Sequence, residues 1–326
     1  MRRRLLLACF AFPAALPAML PPMPVSSQGM AFRLIPGLED VRMAIYETRK
    51  KDFAAFVAAT GYDATEGMVS LRADAFDWAP NGDTWQDPGY AQNGDHPVVG
   101  VSLKDARAFC AWLTRHDHAT GDLPETHEYR LPTDREWSRA AGLAEETGDT
   151  PEARLFHSEA AYPWGETWPP PAGYGNYAGE ESQPGKPSWW GTIPGGYADA
   201  FPRTAPVGSF PPNEHGFYDL SGNVWEWVDT PYTKTSLAYV TRGGCWGSDR
   251  PAYLLLARRN TLFPEARNDE TGFRIVRAPA ASPGRAAVPG GRRTPGDPRL
   301  LKRRGTTIRF ADFRIVRPVP GHTLDS

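Results

Sequence analysis

The stretch Gly216-Phe217-Tyr218-Asp219-Leu220-Ser221-Gly222-Asn223-Val224-Trp225-Glu226-Trp227 constrains this chain more than any other. Neither a 3.6-residue nor a two-residue period separates its polar from its apolar side chains, so it is no simple amphipathic helix or strand. Asp219 and Glu226 must therefore point inward among aromatics. A buried carboxylate is costly unless a partner or a metal neutralises it. The two acids bracket a turn whose Gly222 and Val224 carbonyls can point at the same spot. Two carboxylates with backbone carbonyls make an oxygen set of the kind Ca²⁺ prefers. A hydrogen-bonded structural turn is equally compatible with the spacing.

The 326 residues are enough for one large domain or two small ones. Gly 32 and Pro 33 make about a fifth of the chain, well above the usual share, which favours a loop-rich α+β domain over a bundle or a regular barrel. Arg2-Arg3-Arg4 precedes a charge-free apolar run from Leu5 to Leu20, the pattern of an export signal spanning residues 1–30. Cleavage is expected near Ser27–Met30, and the product is expected to be periplasmic or extracellular. Pro13 and Pro17 interrupt a run too short to span a membrane. Without Cys9 the mature chain keeps only Cys110 and Cys245, too few for a disulfide framework. The net charge of -2 is unevenly spread, because the tail after Ala278 holds ten Lys/Arg against three Asp. The acidic body this leaves favours cations and basic partners rather than specific binding of nucleic acid.

Between these ends the chain reads as a strand at 41–46 and then a helix capped by Thr48 and ended by Gly61. Residues 63–95 have no period and read as a long ordered loop or a variable insertion. Ser102 with Asp105, and Thr133 with Glu136, form capping boxes for two further helices. Cys110 shares the inward face of the first with Ala106, Phe109 and Leu113, so it reads as an inert core thiol. His116-Asp117-His118 is expected to be a solvated helix end, since residues two apart do not face each other. Val240–Arg242 enters a glycine turn at Gly243-Gly244. Leu254–Ala257 and Thr271–Arg277 read as closing strands. The tail, 279–326, is disordered by composition and could dock on an anionic surface. Its Phe313-Arg314-Ile315-Val316-Arg317 repeats Phe273–Arg277.

Taken in order, several pieces resemble the sulfatase-modifying-factor family, that of the formylglycine-generating enzyme. They include His96-Pro97-Val98, Ala108-Phe109-Cys110-Ala111-Trp112, Tyr129-Arg130-Leu131-Pro132-Thr133 with Glu136-Trp137, and Tyr162-Pro163-Trp164-Gly165. Thr204–Phe210, the 216–227 stretch, Arg242-Gly243-Gly244 and Gly272-Phe273-Arg274 complete the series. The resemblance implies one α+β domain at 31–278, C-type-lectin-like and poor in regular structure. It implies two calcium sites. One comprises Asn176, the Tyr177 carbonyl, Asp199 and the Phe201 carbonyl. The other comprises Asp219, the Gly222 and Val224 carbonyls, and Glu226.

The family's chemistry does not carry over in the same way. Its oxidases use Cu(I) held by two thiolates, and the resemblance places Ser248 and Tyr253 at those positions. Neither is a soft ligand, so copper is not expected. Cys245 stands where the family has a serine and is the sole candidate for residual chemistry. The reading is therefore an exported, calcium-stabilised monomer that binds a peptide or glycan in a groove of Trp164, Trp225, Trp246 and Arg258. The competing reading is an oxidoreductase with a divergent site around Cys245.

Overall fold

The computed structural model describes residues 23–71, 78–143, 146–155, 161–182 and 191–280. The apolar leader run and the tail, with its repeated pentapeptide, lie outside the described residues. In chain order the strands are β1 (Phe32–Leu34), β2 (Arg42–Ala44), β3 (Val69–Leu71), β4 (Trp78–Pro80) and β5 (His127–Arg130). They continue with β6 (Trp225–Pro231), β7 (Tyr239–Arg242), β8 (Asn260–Leu262), β9 (Thr271–Gly272) and β10 (Val276–Pro279). The helices are α1 (Lys50–Thr60), α2 (Leu103–Thr120), α3 (Asp134–Ala140), α4 (Pro151–Leu155) and α5 (Pro251–Leu254). One antiparallel sheet runs β1-β2-β10-β5, a second runs β8-β7-β6-β9 with β6 and β9 parallel, and β3-β4 is a separate pair. Long connections join these short elements, as the glycine and proline content requires.

Local signals set the helices. Ser102 Oγ accepts from the Asp105 amide while Asp105 Oδ2 accepts from the Ser102 amide at 2.8 Å, and α2 ends at Gly121. Thr133 and Glu136 close the same box on α3. In α1 the cap falls at Arg49, one residue later than Thr48, because Asp52 takes the Arg49 amide while Thr48 is buried. One core packs Phe53, Phe56, Phe109 and Trp112 of α1 and α2 against Phe32, Trp227, Phe273 and Ile275. A second gathers Ile35, Met43, Trp137, Phe217, Val228 and Val276.

Three expectations change. Leu254–Ala257 is not a strand, since Pro251 opens the short helix α5, which ends at Leu254. The 116–118 segment is not a solvated end: Asp117 is wholly buried and accepts from Tyr129 Oη at 2.9 Å and from the Ser27 hydroxyl. That contact ties down residues 24–30, where Ser26 binds Met30, Phe32 donates to Pro24, and Met30 joins the core. The folded region thus begins ahead of residue 31, and cleavage at Ser27–Met30 would remove part of it.

Candidate functional site

The loops at 176–181, 199–201 and 219–226 meet in one region of the domain. Gly222 (φ 85) permits the approach, because a Cβ there would lie 2.3 Å from the Asn176 carbonyl oxygen. Asn223 pins the junction. Its amide donates to the Asn176 carbonyl at 2.9 Å, and its Oδ1 accepts from Asn176 Nδ2 at 3.2 Å. The non-glycine residues with positive φ among the described residues are Ala200, Asp219 and Asn223, all in these loops. Left-handed backbone at such positions costs of order 1–3 kcal/mol each and persists only where the surroundings enforce it.

The structure brings Tyr177, Asp199 and Phe201 of the first expected set together, through amides rather than carbonyls. Asp199 accepts from the Tyr177 amide at 2.8 Å and the Phe201 amide at 2.9 Å. Asn176 is 1% exposed, and its Oδ1 has no hydrogen-bond partner. A further residue is present that motif reading missed. Glu181 presses its carboxylate against Asp199, and both of its oxygens are shielded from water without a donor. Burial, reinforced by Glu181, pushes the Asp199 carboxyl up to about 7. Orphaned buried oxygens and two carboxylates, with no cationic side chain paired to them among the described residues, are a donor set that fits Ca²⁺.

The second set differs from expectation. Glu226 is fully buried, but Arg274 holds it bidentately, with Nη2 to Oε1 at 2.6 Å and Nε to Oε2 at 2.7 Å. Trp137 Nε1 adds a donor to Oε2 at 2.8 Å. The guanidinium supplies the neutralising charge assigned above to a metal, so Glu226 is a structural ion-pair residue here. The uncompensated charge lies instead on Asp219 and on Glu47, which sequence reasoning also missed. Glu47 is 1% exposed; Oε2 accepts from Asn223 Nδ2 at 2.8 Å, and Oε1 has no partner. Burial, with Asp219 and Glu226 nearby, raises Glu47 well above the usual carboxylate range, and burial pushes Asp219 up to about 6. Only the tertiary fold could reveal Glu47, because it lies 176 residues from Asn223.

The Arg242-Gly243-Gly244 turn delivers Cys245 into the interior. The thiol lies 3.7 Å from Ser248 Oγ, which also accepts from the Cys245 amide at 3.0 Å. Burial, then the neighbouring Glu270 carboxylate, raises the thiol pKa well above its ordinary value. Such a thiol is protonated and unreactive at neutral pH. Cys110 is likewise buried, on α2, with its pKa raised by burial.

The aromatic groove does not form. Trp246 is 0% and Trp225 6% exposed, so both are core residues. Trp164 stacks on Tyr162 at 4.8 Å in a separate aromatic cluster, and Arg258 lies over Tyr253 at 5.4 Å. A polar cavity of about 350 Å³ opens elsewhere, among Asn81, Asp83, Tyr90, Arg203 and Asp269. Trp246 is close by, donating from Nε1 to the Asp269 carbonyl at 3.1 Å.

Two small sheets, capped helices and long cross-linked loops with buried oxygen sites define the class: an α+β domain of the formylglycine-generating-enzyme fold. The chain belongs to the sulfatase-modifying-factor family, residues 37–279 matching the Sulfatase-modifying factor enzyme 1-like domain. It is 31% identical over 238 residues to the Inactive C-alpha-formylglycine-generating enzyme 2 of Bos taurus, covering 68% of this chain and 64% of that protein. It is also 31% identical over 282 residues to the Formylglycine-generating enzyme of Thermomonospora curvata, covering 72% and 80%. Among solved structures, PvdO from Pseudomonas aeruginosa aligns with a TM-score of 0.49 and 23% identity, over 73% of this chain and 80% of that one.

Proposed function

We propose that this chain is an exported, calcium-stabilised binding module that has lost copper-dependent oxidation. The observation carrying this reading is the site after the glycine turn. Ser248 and Tyr253 occupy the positions the family resemblance gives to the copper thiolates. The thiol beside them, Cys245, is buried and held protonated. One buried thiol with a hydroxyl cannot provide the soft pair that holds Cu(I). A relative of similar identity that is named inactive supports the same conclusion. The Asn176–Asp199–Glu181 set would hold calcium, whose role would be to neutralise buried carboxylates and fix the loops. The expected ligand is a peptide or a glycan.

The test is mass spectrometry of a sulfatase-type cysteine peptide incubated with the protein, copper, reductant and air. No conversion to aldehyde above the protein-free control is expected. Catalytic aldehyde formation would replace this reading with an oxidoreductase centred on Cys245.

A further inference from the structure

The cavity beside Trp246 brings two opposite charges together without pairing them. Arg203 lays its guanidinium over the Trp246 ring at 4.3 Å and lies 5.9 Å from the Tyr90 ring. This contact holds the guanidinium against the indole, yet no carboxylate among the described residues comes within ion-pair distance of it, and its N–H donors form no hydrogen bond among them. A guanidinium held in place in this way can receive a carboxylate through two parallel hydrogen bonds.

Asp269 faces the same cavity and is 1% exposed. Its Oδ2 accepts from the Leu71 amide at 3.2 Å, but Oδ1 is buried with no donor. The Asp269 backbone is fixed as well, since its carbonyl accepts from Tyr90 Oη at 3.2 Å and from Trp246 Nε1. Asp83 lines the cavity too, held by the Ser70 hydroxyl and by Asn81 Nδ2 at 3.3 Å. Burial pushes Asp269 up to about 7, while Arg203 pulls it down. A buried acceptor without a donor costs roughly 1–3 kcal/mol, more when charged, and a ligand that supplies the donor recovers that cost.

The chemistry of the occupant follows from this layout. A simple anion would meet two carboxylates, and a simple cation would meet Arg203. A neutral sugar could use the same hydrogen-bonding groups, but sugars also gain from a free aromatic face. Trp246 is fully buried under Arg203, and the Tyr90 hydroxyl is turned inward onto Asp269. The volume of about 350 Å³ is near the lower end of ligand pockets, roughly 300–1,000 Å³, and suits a small molecule.

We infer that this cavity binds a small zwitterion of the amino-acid class, with its ammonium on Asp269 and Asp83 and its carboxylate on Arg203. The inference rests on the binding-module reading and narrows its ligand from a peptide or glycan to a small zwitterion. The two fail separately: absence of oxidation is read by mass spectrometry, whereas this site is read by binding alone.

The experiment is titration calorimetry of the full chain in calcium against the standard free L-amino acids and glycyl dipeptides. For the strongest binder, its N-acetyl and carboxamide forms are titrated as well. Saturable binding is expected, weakened at least tenfold by removing either ligand charge. Asp269→Asn and Arg203→Gln should each weaken it at least tenfold. The ligand-side changes use the unaltered protein, so the answer does not depend on how the variants fold. Preference for amino acids over dipeptides, or the reverse, would identify the source of the zwitterion. Absence of saturable binding across the panel would overturn the inference. Equal binding of the blocked forms, or binding of neutral oligosaccharides alone, would overturn it too.

Discussion

Glu226 is buried in company with Arg274, and this decides how its substitution should behave. Both carboxylate oxygens are occupied by the guanidinium and Trp137, so Glu226→Gln leaves a buried cation short of its counter-charge. Breaking such a pair costs about 3–5 kcal/mol. The loss should appear in urea unfolding equally with calcium and with chelator. Glu181 makes the contrasting case. Its oxygens lie against Asp199 with no other donor, so at pH 8 in chelator, where Asp199 is ionised, the carboxylate adds repulsion. Glu181→Gln should therefore leave the chelated protein as stable as before or more so, while weakening calcium binding about tenfold or more in a direct titration. An unchanged calcium affinity would remove Glu181 from the site. The motif displays Asp219 and Glu226 together, but whether an acid is answered by an arginine or by a metal is decided by Arg274, 48 residues away from Glu226.

At the scale of elements, Asp105 shows why capping boxes were legible while much else was not. The box that opens α2 is a local device with local residues, and the structure keeps it unchanged. Asp105 also accepts from Arg267 Nε at 2.8 Å and Tyr62 Oη at 2.9 Å, contacts invisible to spacing arguments. Ser102→Ala should thus cost about 1 kcal/mol, the usual worth of a cap. Asp105→Ala should cost about 3–5 kcal/mol, because it also removes the buried one of the two carboxylates that pair with the mostly buried Arg267. Equal losses in chemical denaturation would mean that the two tertiary contacts contribute nothing. The same division explains the errors. Gly61 as a helix end followed from local backbone preference. Leu254–Ala257 looked like a strand because its apolar run outweighed Pro251 at the start of a short helix. The buried state of Asp117 depends on Ser27 and Tyr129, and the loss of the tryptophan groove depends on what covers Trp225 and Trp246. Aromatic residues in a motif carry no mark of whether they face solvent or core.

Among the described residues, Asp199, Asp219 and Glu47 lie outside the helices and strands with their pKa raised by the fold, and this gives a pH dependence with a definite sign. Asp199 is raised to about 7 and Asp219 to about 6, with Glu47 also raised, each first through burial. A carboxyl whose pKa is higher folded than unfolded holds more protons in the native state. Stability contributed by that proton is complete below the ordinary range near 4 and is lost as pH rises through the folded value. The chelated protein should thus be more stable near pH 5 than near pH 8. Asp134 acts in the opposite sense only under strong acid. Arg154, Arg242 and Arg259 bind it and hold its pKa far below the usual range, so its contribution persists across this window. On the proposed calcium reading, the ion would bind the deprotonated sites and compete with the protons. A native-state ligand at a hundredfold excess over Kd adds about 2.7 kcal/mol. For a domain of this size that is a rise of about 5–11 °C in melting temperature. The rise should be large at pH 8 and small at pH 5, and calorimetric melts at both pH values with calcium and with chelator would measure it. Melting that ignores calcium at pH 8 while still falling with pH would mean that the loops carry protonated, hydrogen-bonded acids and no metal.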